Sequence, residues 1–148
     1  MAIEIISVVP TISTGIYTAG DNMGGKLTLT SLLGGTGKGV IRQIVMTDLS
    51  KQNSIISIAF FSTDPTATTF TDNGQLTVND ADAANLIGHV AFAATDYLGF
   101  VDNSVATKTG LSIPLEGSSS TVYASLVCGG TPTYAGTADL KLKIYVEV

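Results

Sequence analysis

The stretch GDNMGGKL, residues 20–27, comes within one residue of a nucleotide-binding loop. Such a loop needs a glycine, four residues of any kind and then Gly-Lys-Ser/Thr, because backbone amides and a helix N-terminus face the phosphates while the hydroxyl holds magnesium. Gly20, Gly25 and Lys26 fit this spacing, but Leu27 stands where the hydroxyl belongs. The letters that follow, KLTLTSLL, alternate apolar and hydroxyl residues, which predicts a strand in place of the required helix. A nucleotide site is therefore disfavoured.

We interpret these glycines as a turn that leads into the strand. Gly24 and Gly25 are free to adopt positive φ, and Asp21 or Asn22 can close the turn with a side-chain hydrogen bond. A second glycine cluster, GGTGKG at 34–39, fails the nucleotide motif at two positions. It predicts a flexible connection between two strands.

The other groups that could do chemistry are few and scattered. His89 is the only histidine and has no metal-ligand spacing around it, so we expect a partly buried strand residue. Asp72, Asn73, Asp80 and Asp82 could supply oxygen ligands, but DADAANLIG lacks an oxygen ligand at the fifth position and a glycine at the sixth position of an EF-hand loop, which leaves only an irregular calcium site open. There is no Gly-x-Ser-x-Gly elbow and no tryptophan. We predict no catalytic, cofactor-binding or metal-binding residue.

Composition favours a protein that assembles with others. Charged residues make up only 13% of the 148 residues, and the mean hydropathy is +0.39. Such a surface has to be covered by small polar residues or by other chains, since a monomer rarely exposes large apolar patches. The formal charge of −5 argues against nucleic acid as a partner.

The start of the chain, MAIEIISVV, has no basic region and carries Glu4 within its apolar run. This pattern predicts neither a signal peptide nor a membrane span, so we expect synthesis in a cytoplasm and no membrane partner. The single cysteine, Cys128, lies in an apolar run and is interpreted as a buried, inert thiol.

The dominant pattern along the chain has a period of two, which is typical of half-buried strands. Segments with this pattern cover 3–9, 26–33, 39–49, 54–62, 87–93, 97–101, 111–115, 122–128 and 140–148. Turn residues separate them at the spacing of a sandwich or barrel. One segment, 80–87, predicts a short helix capped by Asn79 or Asp80. The prediction is an all-β fold: a single jelly-roll type β-sandwich over residues 1–148, with eight or nine strands.

Beyond these patterns, the chain resembles small proteins encoded beside the major capsid gene of tailed bacteriophages. The resemblance covers nearly the whole chain and lies in IYTAGDNMGGKLTLT (16–30), GVIRQIVMTDLSKQ (39–52), IAFFSTDPTATTFTDNG (58–74), NDADAANLIG (79–88) and GTPTYAGTADLKLKI (130–144). None of these stretches is a catalytic motif.

This resemblance implies a head decoration, or cement, protein. Such proteins bind the outside of the capsid lattice, commonly as trimers, and strengthen the shell. The expected partners are the major capsid protein and further copies of the chain, and the expected location is the capsid exterior of a virion made in a bacterial cytoplasm. The segments proposed for contact are those before Gly20 and at 34–39 and 129–137.

The alternative is a tail, neck or fibre module that recognises a glycan on the host surface. That role predicts exposed aromatic side chains in a loop groove, for example Tyr17, Tyr97 or Tyr134. Decoration predicts instead a broad, flat and mostly uncharged contact face.

The nucleotide interpretation has a direct test. A ligand that binds only the folded state stabilises it and therefore raises the melting temperature. At a ligand concentration of a hundred times the Kd, the free energy of unfolding rises by about 2.7 kcal/mol. We expect millimolar ATP with magnesium to leave the melting temperature unchanged in differential scanning calorimetry. A rise of several degrees would contradict the assignment of residues 20–27 to a turn.

Overall fold

The computed structural model describes residues 2–30, 37–116 and 120–148, and strands dominate it. Within these ranges the strands are β1 (Ile3–Val8), β2 (Asn22–Leu29), β3 (Lys38–Asp48), β4 (Ile56–Phe61), β5 (Leu86–Phe92), β6 (Tyr97–Gly99), β7 (Ser104–Lys108), β8 (Ile113–Glu116), β9 (Val122–Cys128) and β10 (Leu140–Glu147). The helical segments of the described chain are α1 (Asp80–Ala83) and a short 3-10 turn (Ala94–Asp96).

The strands form two antiparallel sheets, whose order identifies the fold. Sheet A has the order β1-β10-β3-β7-β6, with β8 pairing beside β7 on the same edge of the long β3; sheet B has the order β2-β9-β4-β5. Without β6 and β8, the eight remaining strands have the order first-eighth-third-sixth in one sheet and second-seventh-fourth-fifth in the other. This is the topology of a jelly roll. The predicted fold class is confirmed.

The core lies between the sheets because each strand turns every second side chain inward. In β10, Leu140, Leu142, Ile144 and Val146 are buried while Lys141 and Lys143 between them are exposed. The inward residues of both sheets form one apolar cluster with Ile41, Ile44 and Met46 from β3, Ile56, Ile58 and Phe60 from β4, and Val122, Ala124 and Leu126 from β9.

A long connection, residues 62–85, packs on the outer side of sheet B. Phe61 points outward from β4 yet is buried, and its ring meets that of Phe70 edge to face at 6.5 Å. Lys26 of β2 forms an ion pair with Asp64 of the same connection. Sheet B is therefore partly covered on its outer side, whereas the outward side chains of sheet A are exposed or half-buried.

Several element boundaries differ from the sequence predictions. The strand predicted at 26–33 begins at Asn22, because the glycines lie within β2; residues 31–33 of that prediction are outside the described ranges. A strand at Ser104–Lys108 was missed, since Ser104 takes an inward position that the pattern assigns to an apolar residue. The structure thus has ten strands in the described residues, where eight or nine were predicted.

The short helix predicted at 80–87 is present and occupies the first half of that segment. Asn79 caps it by accepting a hydrogen bond from the Ala81 amide at 3.0 Å, as predicted, but the helix ends at Ala83. Leu86 already pairs with Phe61 in sheet B, so strand pairing takes the residues that the helix would need. Gly88 is consequently part of β5.

Two neighbouring residues of β10 test which side of this strand faces the core. We expect Ile144→Ala to lower the free energy of unfolding by about 2–5 kcal/mol, because it leaves a cavity between the sheets. Lys143→Ala, on the opposite side of the strand, should change it by less than about 0.5 kcal/mol. Urea denaturation followed by circular dichroism measures both, and equal losses would contradict the assigned faces.

Candidate functional site

The glycine cluster of the near-nucleotide motif forms a bulge inside β2. The register with β9 shifts between Met23 and Lys26, and the two glycines in this gap have φ of +85° and +73°, which confirms their predicted backbone. A side chain on Gly24 would have its Cβ 2.6 Å from the Cβ of Pro10, so close approach of the chain also requires glycine there.

Side chains close this turn as predicted. Asp21 Oδ2 accepts a hydrogen bond from the Thr18 amide at 2.8 Å, which lowers the pKa of that carboxyl, and Asn22 Oδ1 accepts from the Gly25 amide at 2.8 Å. Lys26 turns away from the glycines, toward Asp64 and the Tyr123 ring 5.5 Å from its Nζ. The amides and the lysine therefore do not converge on one ligand.

Residues of the second glycine cluster are only partly described. Residues 34–36 lie outside the described ranges, while Gly37 has a φ of +70° and Lys38 begins β3 with an ion pair to Glu116 at 3.8 Å.

The candidate metal ligands are used within the fold or lie apart. Asp72 accepts hydrogen bonds from the Tyr17 hydroxyl at 2.6 Å and the Gly24 amide at 2.7 Å, and the buried Asp82 accepts from the Thr68 hydroxyl at 2.6 Å. In the described part of the chain, no group of three or more His, Cys, Asp or Glu side chains could hold a metal ion.

His89 was expected to be partly buried, and that expectation is wrong. It lies on β5 and is exposed, because its neighbour Val90 takes the inward position and the alternation turns His89 outward. Cys128 is buried, as predicted, with its Sγ 3.4 Å from the Gly130 amide nitrogen.

A buried carboxylate organises the loops beyond the end of β3. Asp48 is fully buried and accepts backbone hydrogen bonds from Ser50, Gln52 and Asn53 at 2.8–3.0 Å. Burial raises the pKa of Asp48 in spite of these donors. Because its oxygens are occupied by the turn at 50–53, this carboxylate serves the fold.

The three tyrosines proposed for glycan binding do not form an exposed platform. Tyr17 and Tyr134 are fully buried and meet edge to face at 6.2 Å, and the half-buried Tyr97 donates its hydroxyl to the Ser54 carbonyl at 2.7 Å. Burial raises the pKa of all three hydroxyls.

Sheet A presents a broad open surface on its outward side, and we call the part of it formed by β1, β10, β3, β7 and β6 the A face. Five strands contribute to it: Ile3, Ile5 and Ser7 from β1; Lys141, Lys143, Tyr145 and Glu147 from β10; Gln43, Val45 and Thr47 from β3; Val105 and Thr107 from β7; and Leu98 from β6. Ile3, Ile5 and Leu98 are 53%, 55% and 64% exposed. Apolar and hydroxyl side chains therefore make up most of the A face.

The A face has few charged side chains, and they differ in whether they form an ion pair. Glu147 is neutralised by Arg42, which donates to it at 2.9 Å from a position beside the face. No carboxylate of the described residues pairs with Lys141 or Lys143, and both are exposed.

Sequence reasoning missed the A face as a unit. It placed contact segments before Gly20 and at 34–39 and 129–137; residues 34–36 lie outside the described ranges, and among the described residues of these segments those of β1 contribute to the A face. The alternation in each strand was visible, but an alternation does not say which two strands are neighbours. The uncharged outward positions of β3 and β7 were the sequence signal for a surface of this composition.

Comparisons with known proteins give no family. No protein-family model matches the chain, and no curated protein matches it in sequence. Among the described residues, none of the helices is long and apolar enough to span a membrane.

Solved structures with some likeness include virus particles. A chain of tomato aspermy virus is 10% identical with a TM-score of 0.43, over 99% of this chain and 75% of that one. A chain of the Kashmir bee virus empty particle is 12% identical with a TM-score of 0.31, over 97% and 86%. A latent aurone synthase, a polyphenol oxidase, is 13% identical with a TM-score of 0.38, and the match covers 26% of its length. All three TM-scores are below 0.5, so these similarities neither support the fold assignment, which rests on the strand order, nor assign a function to this chain.

Tyr17 and Tyr134 provide a matched test of the buried polar groups. Tyr17 donates to Asp72 and accepts from the Ser13 amide, whereas the buried Tyr134 hydroxyl has no hydrogen-bond partner in the described residues. We expect Tyr17→Phe to lower the free energy of unfolding by about 1–3 kcal/mol, and Tyr134→Phe to leave it unchanged or raise it by up to about 1 kcal/mol. Urea unfolding of both variants measures these changes. If Tyr134→Phe lowers the free energy of unfolding as much as Tyr17→Phe does, the Tyr134 hydroxyl has a hydrogen-bond partner and the prediction is wrong.

Proposed function

We propose that this chain is a non-enzymatic structural protein of a tailed-bacteriophage virion, which decorates the outside of the capsid and stabilises the shell. The A face carries the proposal, because it is broad and mostly uncharged, as decoration predicts. In this proposal the A face lies against the major capsid protein, and the whole chain acts as one sandwich domain.

The size of the A face favours several simultaneous contacts. Five strands spaced about 4.8 Å apart and eight residues of β10 at about 3.4 Å each give a face of roughly 20 by 27 Å. This footprint of about 500 Å² makes one A face at most a single standard-sized contact, for which each partner buries roughly 800 Å² of accessible surface. An oligomer that places several A faces on a lattice would gain affinity through multivalency. A homotrimer on the capsid exterior fits this requirement, and neither nucleic acid nor a membrane has a part in it.

Two observations support this function over the alternatives. The residues of the candidate catalytic and metal sites make hydrogen bonds within the fold or lie apart, which is consistent with a structural role. The tyrosines that a glycan-binding tail, neck or fibre module would expose are buried or half-buried, which weakens that alternative.

A pair of threonines on opposite sheets tests which side of the sandwich binds. Thr107 is exposed on the A face and Thr28 is exposed on the outer side of sheet B. We expect Thr107→Arg to weaken co-sedimentation with capsids that lack the protein by at least about tenfold, since a bulky charge then opposes a close-packed contact; the same substitution at Thr28 should have little effect.

The outcomes of this experiment are distinct. If the unmodified protein does not co-sediment with such capsids at micromolar concentration, the decoration function is wrong. If it binds and Thr28→Arg is the damaging variant, the contact lies on sheet B. Both variants should keep the melting temperature of the unmodified protein, because both substitutions are at exposed positions.

A further inference from the structure

The basic residues of the chain divide into two groups by what their charges do. Each of the five outside β10 has an internal use: Lys26, Lys38, Arg42 and Lys108 form ion pairs with carboxylates, and Lys51 donates to the Phe100 carbonyl. Lys141 and Lys143 have no such partner in the described residues. All twelve Asp and Glu residues lie within the described ranges, so none of them is left to supply one from elsewhere.

These two lysines lie together on the A face. They are alternate residues of β10, so both side chains point outward, about 7 Å apart along the strand. Directly beside them in the register are Val45 and Thr47 on β3 and Ser7 on β1. A pair of unneutralised positive charges thus stands in an otherwise uncharged region of a chain whose net charge is −5.

We infer that Lys141 and Lys143 determine which surface docks on the A face: the partner is an acidic patch of the capsid protein, with carboxylates about 7 Å apart in uncharged surroundings. This inference rests on the proposed function and names the chemistry of its partner. Charge complementarity supports it, because contact with an uncharged surface would bury two lysines without partners, at a high desolvation cost. An acidic surface with matched spacing removes that cost and fixes the register of docking.

A second role for exposed lysines on a sheet has to be separated from this one. Lysines also keep exposed strands from associating with one another. That role predicts a change in solubility or self-association when the lysines are replaced, with no change in affinity for a partner. The partner-selecting role predicts a change in affinity and in its dependence on salt.

The test measures binding to capsids of the encoding virus that lack this protein, at 50 and 500 mM NaCl. We expect Lys141→Gln/Lys143→Gln to bind about 5- to 20-fold more weakly at low salt and to lose most of the salt dependence of the unmodified protein. Lys141→Glu/Lys143→Glu should bind still more weakly, and Lys141→Arg/Lys143→Arg should bind within about twofold of normal. Lys51→Gln removes one exposed positive charge outside the A face and is the matched control, with no expected change.

Each outcome decides the inference. If the unmodified protein binds and the Gln variant binds equally well with the same salt dependence, the inference is overturned while the decoration function stands. If the Gln variant instead changes the oligomeric state in analytical ultracentrifugation and not the capsid affinity, the A face binds a second copy and the inference is again overturned. Absence of binding by the unmodified protein overturns both the function and the inference.

Discussion

The pairing of β3 with β10 is the constraint on which the rest of the sandwich depends. β10 joins β1 to sheet A on one side and β3 on the other, and β3 in turn carries both β7 and β8 along its far edge. A shift of one residue between β3 and β10 would turn every second side chain to the wrong side, moving Ile144 outward and Lys143 into the core. The register of this one pair therefore fixes both the buried cluster and the composition of the A face.

The two outer surfaces of the sandwich differ because a single connection covers only one of them. Residues 62–85 pack on sheet B, and they are tied to it by Asp72, which links the Tyr17 hydroxyl and the Gly24 amide. The bulge at Gly24 and Gly25 positions the Gly24 amide for this hydrogen bond. The glycines that resemble a nucleotide motif therefore help to attach the connection 62–85 to sheet B. Within the described residues sheet A has no comparable cover, and its outward side chains are exposed or half-buried.

The sequence predicted the fold class and most of the strands because an alternating pattern reports burial directly. It did not predict β7, since an inward serine breaks the pattern, or the end of α1, where pairing of Leu86 with Phe61 overrides local helix preference. The exposure of His89 and the burial of Tyr17 and Tyr134 depend on which strands and loops come together over long separations. For the same reason the A face could not be read from any single segment. The low charge and the pattern of Lys141 and Lys143 were visible, but the absence of nearby carboxylates was not.

The position of β10 also bears on how the chain is made by the ribosome. β1 and β3 are synthesised before the strand that lies between them, because β10 follows the end of β3 by roughly ninety residues. At about 5–20 residues per second, the interval between the synthesis of β3 and that of β10 is about 5–20 seconds. During that interval both strands present unpaired backbone to the cytosol. A ribosome that stalls before residue 140 therefore leaves a product that cannot complete sheet A.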